Sequence, residues 1–330
     1  MASNGLSLLR LTFLGTSAAA PTLQRNVSGL MVKADSELLL FDCGEGSQRQ
    51  MIRYGTGFAV SRVFFTHFHA DHYLGIIGFL RTLGMGGRTE TLQLFGPVGA
   101  KRILLTALHL GIEKLAFPVD IVELNGDECL SLPGLSVGVV RADHRVPALS
   151  FVLKENDRAG RFNLETALRL GIAPGPDFGR LQQGHAVRNQ QGQMVLPSQV
   201  IGEKRKGRVL AISGDTRPNP LFAQAATHAD LLIHEATFSD DEKERALQTR
   251  HSTAREAGEI AHLAKAHRLL LTHLSSRFHV DSSPLVNQAK ATFKGLVEVA
   301  NDGMQLEIPM HTEATEQQPP PTPQKPQKAV

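Results

Sequence analysis

The 330-residue sequence predicts an α/β fold in which helices cover the faces of β-sheets, with one arm inserted into the chain. Three observations predict it. Short apolar runs rich in Leu, Val, Ile and Phe alternate with longer helix-like stretches. Five of those runs lead directly to His or Asp, and strand ends are where α/β folds build their sites. One internal segment, 154–208, loses the apolar runs and turns basic.

In chain order, residues 8–14, 30–34 and 37–41 read as strands, and 45–54 as a helix after Asp42-Cys43-Gly44. The run 62–65 is a strand leading into Thr66-His67-Phe68-His69-Ala70-Asp71-His72, with an apolar segment, 73–83, behind it. Strands follow at 92–95, 119–124, 135–140 and 149–153, with a helix at 98–110. After the basic segment, 209–213, 231–234 and 269–271 read as strands and 283–293 as a helix. The stretch 252–266 has a helix start: Ser252 or Thr253 as N-cap and Glu256 shortly after.

The segment 154–208 holds ten Lys plus Arg against five Asp plus Glu, so it carries +5 while the rest carries −2. At 55 residues it is too long for a plain connection. It reads as an arm built into one large domain, 1–311. The tail 312–330 is rich in Pro, Gln, Thr and Lys and is expected to be disordered. No apolar run is long enough for a membrane span, and no signal peptide is evident. The two cysteines, Cys43 and Cys129, make no disulfide framework and fit a reducing cytoplasm. A net charge of +3 does not by itself argue for nucleic-acid binding, so any basic surface must be local.

Three histidines and a carboxylate lie within six positions from His67 to His72. Alternation along the extended chain puts His67 and His69 on one side. Neutral imidazole suits zinc and Asp adds an anionic oxygen, so this loop can supply donors to two metal sites. A lone Asp after a strand is usually a turn or a cap. Here Asp42, Asp143-His144, Asp215 and His273 all follow strands, and the joint pattern favours a metal centre.

His67-x-His69-x-Asp71-His72, followed by His144, Asp215 and His273, resembles the five-motif signature of the metallo-β-lactamase superfamily. The resemblance implies a four-layer αβ/βα sandwich with metals at one edge. It implies a zinc held by His67, His69 and His144, a second held by Asp71, His72 and His273, and Asp215 between them. Asp42 would orient ligands from outside the set. Two such ions can clamp the attacking and leaving oxygens of a displacement at phosphorus, and Asp71 could accept a proton.

More local sequences narrow the resemblance. Phe13-Leu14-Gly15-Thr16-Ser17, Arg25-Asn26-Val27-Ser28 and Phe41-Asp42-Cys43-Gly44-Glu45-Gly46-Ser47-Gln48 resemble the N-terminal signature of the ribonuclease Z family. His234-Glu235-Ala236-Thr237-Phe238 and His251-Ser252-Thr253 resemble its paired motifs. Thr272-His273-Leu274-Ser275-Ser276-Arg277-Phe278 resembles its last motif, and the stretch from Pro174 to Gly184 the tip of its arm. Phe278 and Phe178 stand where Tyr is commoner. The resemblance spans roughly residues 8–309.

It implies a zinc-dependent endoribonuclease that removes the 3′ trailer from precursor tRNA, leaving a tRNA 3′-hydroxyl and a trailer 5′-phosphate. His251 would act as general acid and Glu235 would orient it. Gly175, Pro176, Phe178, Gly179, Arg180 and Arg277 would touch substrate. The partner implied is precursor tRNA, not DNA or a membrane. The expected state is a cytoplasmic homodimer in which one subunit's arm grips tRNA for the other's site.

The basic arm makes physical sense on charge alone, as a grip on RNA phosphates through Arg180, Arg188, Lys204, Arg205, Lys206 and Arg208. His234 reads equally as a buried structural residue, and the other histidines receive no role. The rival readings are a general phosphodiesterase or arylsulfatase of the same fold, which has no need of the arm, and a non-catalytic RNA-binding protein, which has no need of a full donor set.

Overall fold

The alternating apolar runs build two seven-stranded sheets. In the computed structural model, which describes residues 8–110 and 114–311, the first sheet runs in the order β16-β1-β2-β3-β4-β5-β6. Its strands are β1 (Leu9–Gly15), β2 (Gly29–Ala34), β3 (Glu37–Cys43), β4 (Arg62–Phe64), β5 (Leu92–Pro97), β6 (Val119–Leu124) and β16 (Gln305–Glu307). The second runs β15-β14-β13-β12-β9-β8-β7. It comprises β7 (Cys129–Leu132), β8 (Leu135–Arg141), β9 (Leu149–Glu155), β12 (Val209–Ile212), β13 (Leu231–Glu235), β14 (Arg268–Thr272) and β15 (Leu296–Val299). A separate hairpin pairs β10 (Val187–Arg188) with β11 (Met194–Val195).

Strand alternation sorts the side chains into layers. Leu11, Phe13, Leu39, Phe41 and Phe64 of the first sheet share one core with Val137, Phe151, Leu210, Ile212 and Ile233 of the second. Phe64 anchors it, stacked on Phe41 at 5.0 Å and Phe95 at 4.8 Å, with Phe151 edge-on at 5.5 Å. The opposite face of the first sheet (Leu38, Leu40, Val63) is covered by helices Ser47–Tyr54, Ile76–Met85 and Ala100–Leu108 through Met51, Phe79 and Leu104. The outer face of the second (Val152, Ala211, Leu232, Leu271) is covered by Pro220–Ala225, Ala254–Leu263 and Ser283–Thr292 through Phe222, Ile260 and Leu285. The result is the helix–sheet–sheet–helix order of the αβ/βα sandwich.

β3 to β6 run parallel, as do β12 to β15, so their carboxyl ends gather at common edges. Asp42 and Glu235 lie at the carboxyl ends of β3 and β13, while the 66–72 loop, Asp215 and His273 follow β4, β12 and β14. Glycine is required beside that loop. A Cβ on Gly44 would meet the Asp71 carbonyl at 2.3 Å, and one on Gly75 the Gly44 carbonyl at 2.1 Å.

Residues Glu155–Gly207 form a compact unit of their own. Ala167, Ile172, Leu181, Val187, Val195 and Val200 make its small core, with Phe162 against Phe178 at 4.9 Å. A Cβ on Gly160 would lie 1.9 Å from the Gly202 carbonyl, so these two segments can approach only as glycine. Within the stretch that resembles the arm's tip, Pro176–Gln182 is a helix. Pro176 starts it where the missing N–H costs nothing, with Asp177 in the first turn and Arg180 in the last. Arg208 is not available for phosphate: it is 2% exposed and donates to the Ile308 carbonyl. The expected disordered tail, 312–330, lies outside the described residues.

Sequence reading gave no place to β7, β15 or β16, nor to the helices Pro220–Ala225 and Lys243–Thr249. β16 is three residues long and exists through its antiparallel pairing with β1. No described helix is long and apolar enough to cross a membrane.

Candidate metal centre

The donors predicted from four separated segments meet. Atoms of His67, His69, His144 and Asp215 lie within 4.8 Å of one another, and so do those of Asp71, His72 and His273. Asp215 also groups with His251 and His273. His67 Nε2 is 3.0 Å from His69 Nδ1, and His144 Nε2 is 3.3 Å from that same atom. Asp215 Oδ2 lies 3.5 Å from His67 Nε2 and 3.4 Å from His72 Nε2, while its Oδ1 lies 3.4 Å from His273 Nδ1. Asp71 Oδ2 is 3.3 Å from His273 Nε2 and accepts the Ala19 N–H at 2.8 Å.

Four imidazoles are held from behind. Asp42 accepts from His72 Nδ1 at 2.7 Å, and from the Thr66 N–H and hydroxyl at 2.8 Å each. Thr66 Oγ1 then faces His67 Nδ1 at 3.1 Å, and the Arg250 carbonyl accepts from His144 Nδ1 at 2.8 Å. Thr237 Oγ1 donates to Glu235 Oε2 and faces His273 Nδ1 at 3.0 Å. Each bond fixes a tautomer with the lone pair of Nε2 turned inward, the arrangement that orients imidazole toward a metal. Asp42 and His273 both adopt left-handed backbone, at φ 55° each, an uncommon conformation that the surrounding bonds hold.

Electrostatics divides the imidazoles: burial pulls the His72 pKa down, but Asp215 and Asp42 outweigh it and raise it well above its ordinary value, so that ring gives up its proton only to a competing charge. Burial, then neighbouring imidazoles, lowers the pKa of His67 and of His69, and burial lowers that of His144, so these rings are neutral and ligand-competent. Burial opposes ionisation of Asp215, but His273, His72 and His67 outweigh it and hold the carboxylate ionised. Asp71 is likewise lowered against burial, through its contact with His273.

Beside the donors stands a dyad. His251 Nδ1 meets Glu235 Oε1 at 2.9 Å, and Glu235 is 1% exposed. Burial pulls the His251 pKa down, but the Glu235 carboxylate more than compensates and raises it to about 9.

A family model described as anti-Pycsar protein Apyc1 matches residues 9–156. The ribonuclease Z of Myxococcus xanthus is 61% identical over 305 residues, covering 92% of this chain and 99% of that one.

The chain belongs to the ribonuclease Z family.

The ribonuclease Z of Haloferax volcanii is 46% identical over 302 residues, 91% of this chain and 95% of its own. Human tRNase Z, short form, superposes with a TM-score of 0.66 at 26% identity, covering 91% of this chain and all of that one. The metallo-β-lactamase fold protein YhfI of Bacillus subtilis gives 0.66 at 21%, covering 92% and 100%.

Against the ribonuclease Z resemblance, the two-sheet unit brings together all seven expected donors, together with His251 and Glu235. Arg277 pairs with Glu242 and sits over the Phe238 ring at 5.7 Å, and that ring lies 6.1 Å from His251. The other expected substrate contacts, Gly175, Pro176, Phe178, Gly179 and Arg180, fall in the Glu155–Gly207 unit. There Phe178 is partly buried, and Arg180 is exposed with Asp177 at 3.6 Å. His234 takes the structural reading: fully buried, with Nδ1 at the Glu235 carbonyl. Three residues received no role from the sequence. Thr66 and Thr237 stand inside quoted motifs, and their place next to donors is the signal that could have found them. Arg217 had none.

Proposed function

We propose that this centre holds two zinc ions and that the chain uses it to cut precursor tRNA at its 3′ trailer. As a ribonuclease Z family member the chain is an endoribonuclease, a phosphodiester hydrolase of tRNA 3′ processing. The donor chemistry fits the metal: the converging imidazoles, of which burial keeps His67, His69 and His144 neutral, form with the ionised carboxylates a nitrogen and oxygen set suited to zinc. Zinc in such a site supplies Lewis acidity at phosphorus and makes water acidic enough to attack near neutral pH.

His67, His69 and His144 would hold one ion, Asp71, His72 and His273 the other, with Asp215 shared. The lowered pKa of Asp71 makes it a poor proton acceptor, so its role is to bind rather than to act as a base. The observation that carries the reading is the His251–Glu235 contact beside the donors, in a chain so similar to named ribonucleases Z. With Nδ1–H held by Glu235 and the imidazole charged at neutral pH, Nε2 can protonate the departing 3′-oxygen. Hydroxide, from a water whose proton has gone to solvent, would add to phosphorus as the P–O3′ bond breaks and His251 gives its proton to O3′, so that tRNA leaves with a 3′-hydroxyl and the trailer with a 5′-phosphate.

The Glu155–Gly207 unit carries exposed Arg180, Arg188, Lys204 and Lys206, which suit the phosphates of the tRNA body. We place the enzyme in the cytoplasm as a homodimer, one subunit's arm serving the other's site. The test is a 3′-extended tRNA transcript with and without chelator, the ends mapped. A single cut with these termini, abolished by chelator and restored by zinc, is expected. Opposite termini, or cleavage indifferent to chelator, overturns the reading.

A further inference from the structure

Arg217 lies two residues after Asp215, and no motif in the sequence singles it out. Its backbone N–H donates to the Asp143 carbonyl at 2.9 Å, tying down the loop that presents His144. Its guanidinium is only 11% exposed. Nη1 donates to the His251 carbonyl at 2.5 Å and to Glu256 Oε2 at 2.8 Å, and Nη2 completes a fork on Glu256 Oε1. Glu256 is itself fixed, accepting the Thr253 N–H at 2.9 Å in the cap of helix Ala254–Leu263. One residue thus joins the Asp215 loop to the His144 loop through its backbone and to the turn that carries His251 through its side chain.

That turn needs holding. Arg250, immediately before His251, adopts a left-handed backbone at φ 62°, a conformation that costs free energy outside glycine. The His251 backbone is fixed on one side by its N–H to the Ala246 carbonyl at 2.9 Å and on the other by Arg217. A planar guanidinium can fork a carboxylate while a further N–H reaches a carbonyl; an ammonium cannot match both geometries.

We infer that Arg217 is a positioning residue for protonation of the leaving group: it holds the His251 backbone so that the imidazole, braced by Glu235, faces the departing oxygen. This rests on the reading of His251 as the general acid. A plain structural tie between loops would depress every activity alike. A positioning role shows only where the leaving group needs a proton.

The experiment compares single-turnover cleavage of a 3′-extended tRNA with hydrolysis of bis(p-nitrophenyl) phosphate, whose leaving group departs without help. The zinc-loaded wild type, Arg217→Gln, Arg217→Lys, His251→Ala and the double variant Arg217→Gln/His251→Ala are measured, with metal content. Arg217→Gln is expected to lower tRNA cleavage about 10- to 100-fold, the range for partners that orient a functional group from behind. The loss should fall on the chemical step rather than on KM, be much smaller on the activated diester, and leave metal content as it was. Arg217→Lys should recover part of the loss. In the His251→Ala background, Arg217→Gln should cost nothing further.

If His251→Ala shows the leaving-group dependence and Arg217→Gln loses both substrates equally, the inference falls and the acid reading stands. If His251→Ala itself loses both equally, the acid reading falls and takes the inference with it. Should Arg217→Gln fail to fold, Glu256→Gln weakens the same fork from its other end, with Thr253 still capping the helix. A leaving-group-dependent loss there supports the inference, and equal losses overturn it.

Discussion

At the metal centre His67 is wholly buried, His72 is 2% exposed, and both rings are held from behind. In the Glu155–Gly207 unit the core is a handful of aliphatic side chains, and most of the charged groups stand in solvent. The first region works by placement, since a donor lone pair moved by an ångström no longer points at its target. On the proposed reading the second would work by summed charge over many phosphates, each contributing little and each weakened by salt. Single substitutions should therefore be severe in the first region and mild in the second.

The largest effect is expected from Asp215→Ala. It removes the carboxylate that touches His67, His72 and His273 and leaves those rings without their shared anion. Metal per chain should fall, and hydrolysis of tRNA and of a small diester should vanish together. Full metal occupancy with normal turnover would remove Asp215 from the shared position.

Deleting residues 158–204 should separate the two regions. β9 and β12 are antiparallel neighbours with Lys154 opposite Val209, so a short turn can rejoin them. Metal content and small-diester hydrolysis should persist while tRNA cleavage drops by roughly 10²-fold or more at physiological salt, as phosphate contacts are lost. Mixing deleted chains with Asp215→Ala chains should restore some cleavage if one subunit's arm serves the other's site. No recovery in mixtures shown to exchange subunits argues for arms that serve their own site.

The dyad sharpens the comparison through pH. His251 is raised from an ordinary value near 6.5 to about 9, so its acid form is present through the neutral range and lost as pH rises through about 9. Cleavage of tRNA should fall on that alkaline limb, and hydrolysis of an activated diester should not. Removing the carboxylate in Glu235→Gln should move the limb to lower pH. The same shift is a stability statement: the His251–Glu235 contribution is complete below the unfolded value and disappears as pH rises through about 9. An alkaline limb unmoved by Glu235→Gln would detach Glu235 from His251.

The smallest effect belongs to the arm's interior. Phe178→Ala removes an aromatic pair with Phe162 worth about 0.5–1.5 kcal/mol beyond its buried area. Hydrogen exchange should quicken within Glu155–Gly207 and tRNA affinity weaken severalfold, with metal content as in the wild type. Unchanged exchange in that unit would mean that the pair does not hold it together.

The amino-acid sequence alone determined the donor set, the layered fold and the basic arm. His and Asp packed densely after apolar strands serve no folding purpose, so their chemistry is visible residue by residue. The arm shows in composition, because charge without apolar runs cannot extend a sheet. Tertiary structure alone decided what holds the donors. Arg217 reaches a carbonyl 34 residues away, Asp42 braces a ring 30 residues on, and Arg208, read as a phosphate contact, is buried against Ile308, 100 residues on. It also turned a Gly/Pro stretch into the helix Pro176–Gln182, whose Leu181 is buried in a core drawn from across the unit. A hydrogen bond or a packing contact depends on which distant groups the folded sheets bring within about 3–4 Å, and no local pattern of residues encodes that proximity.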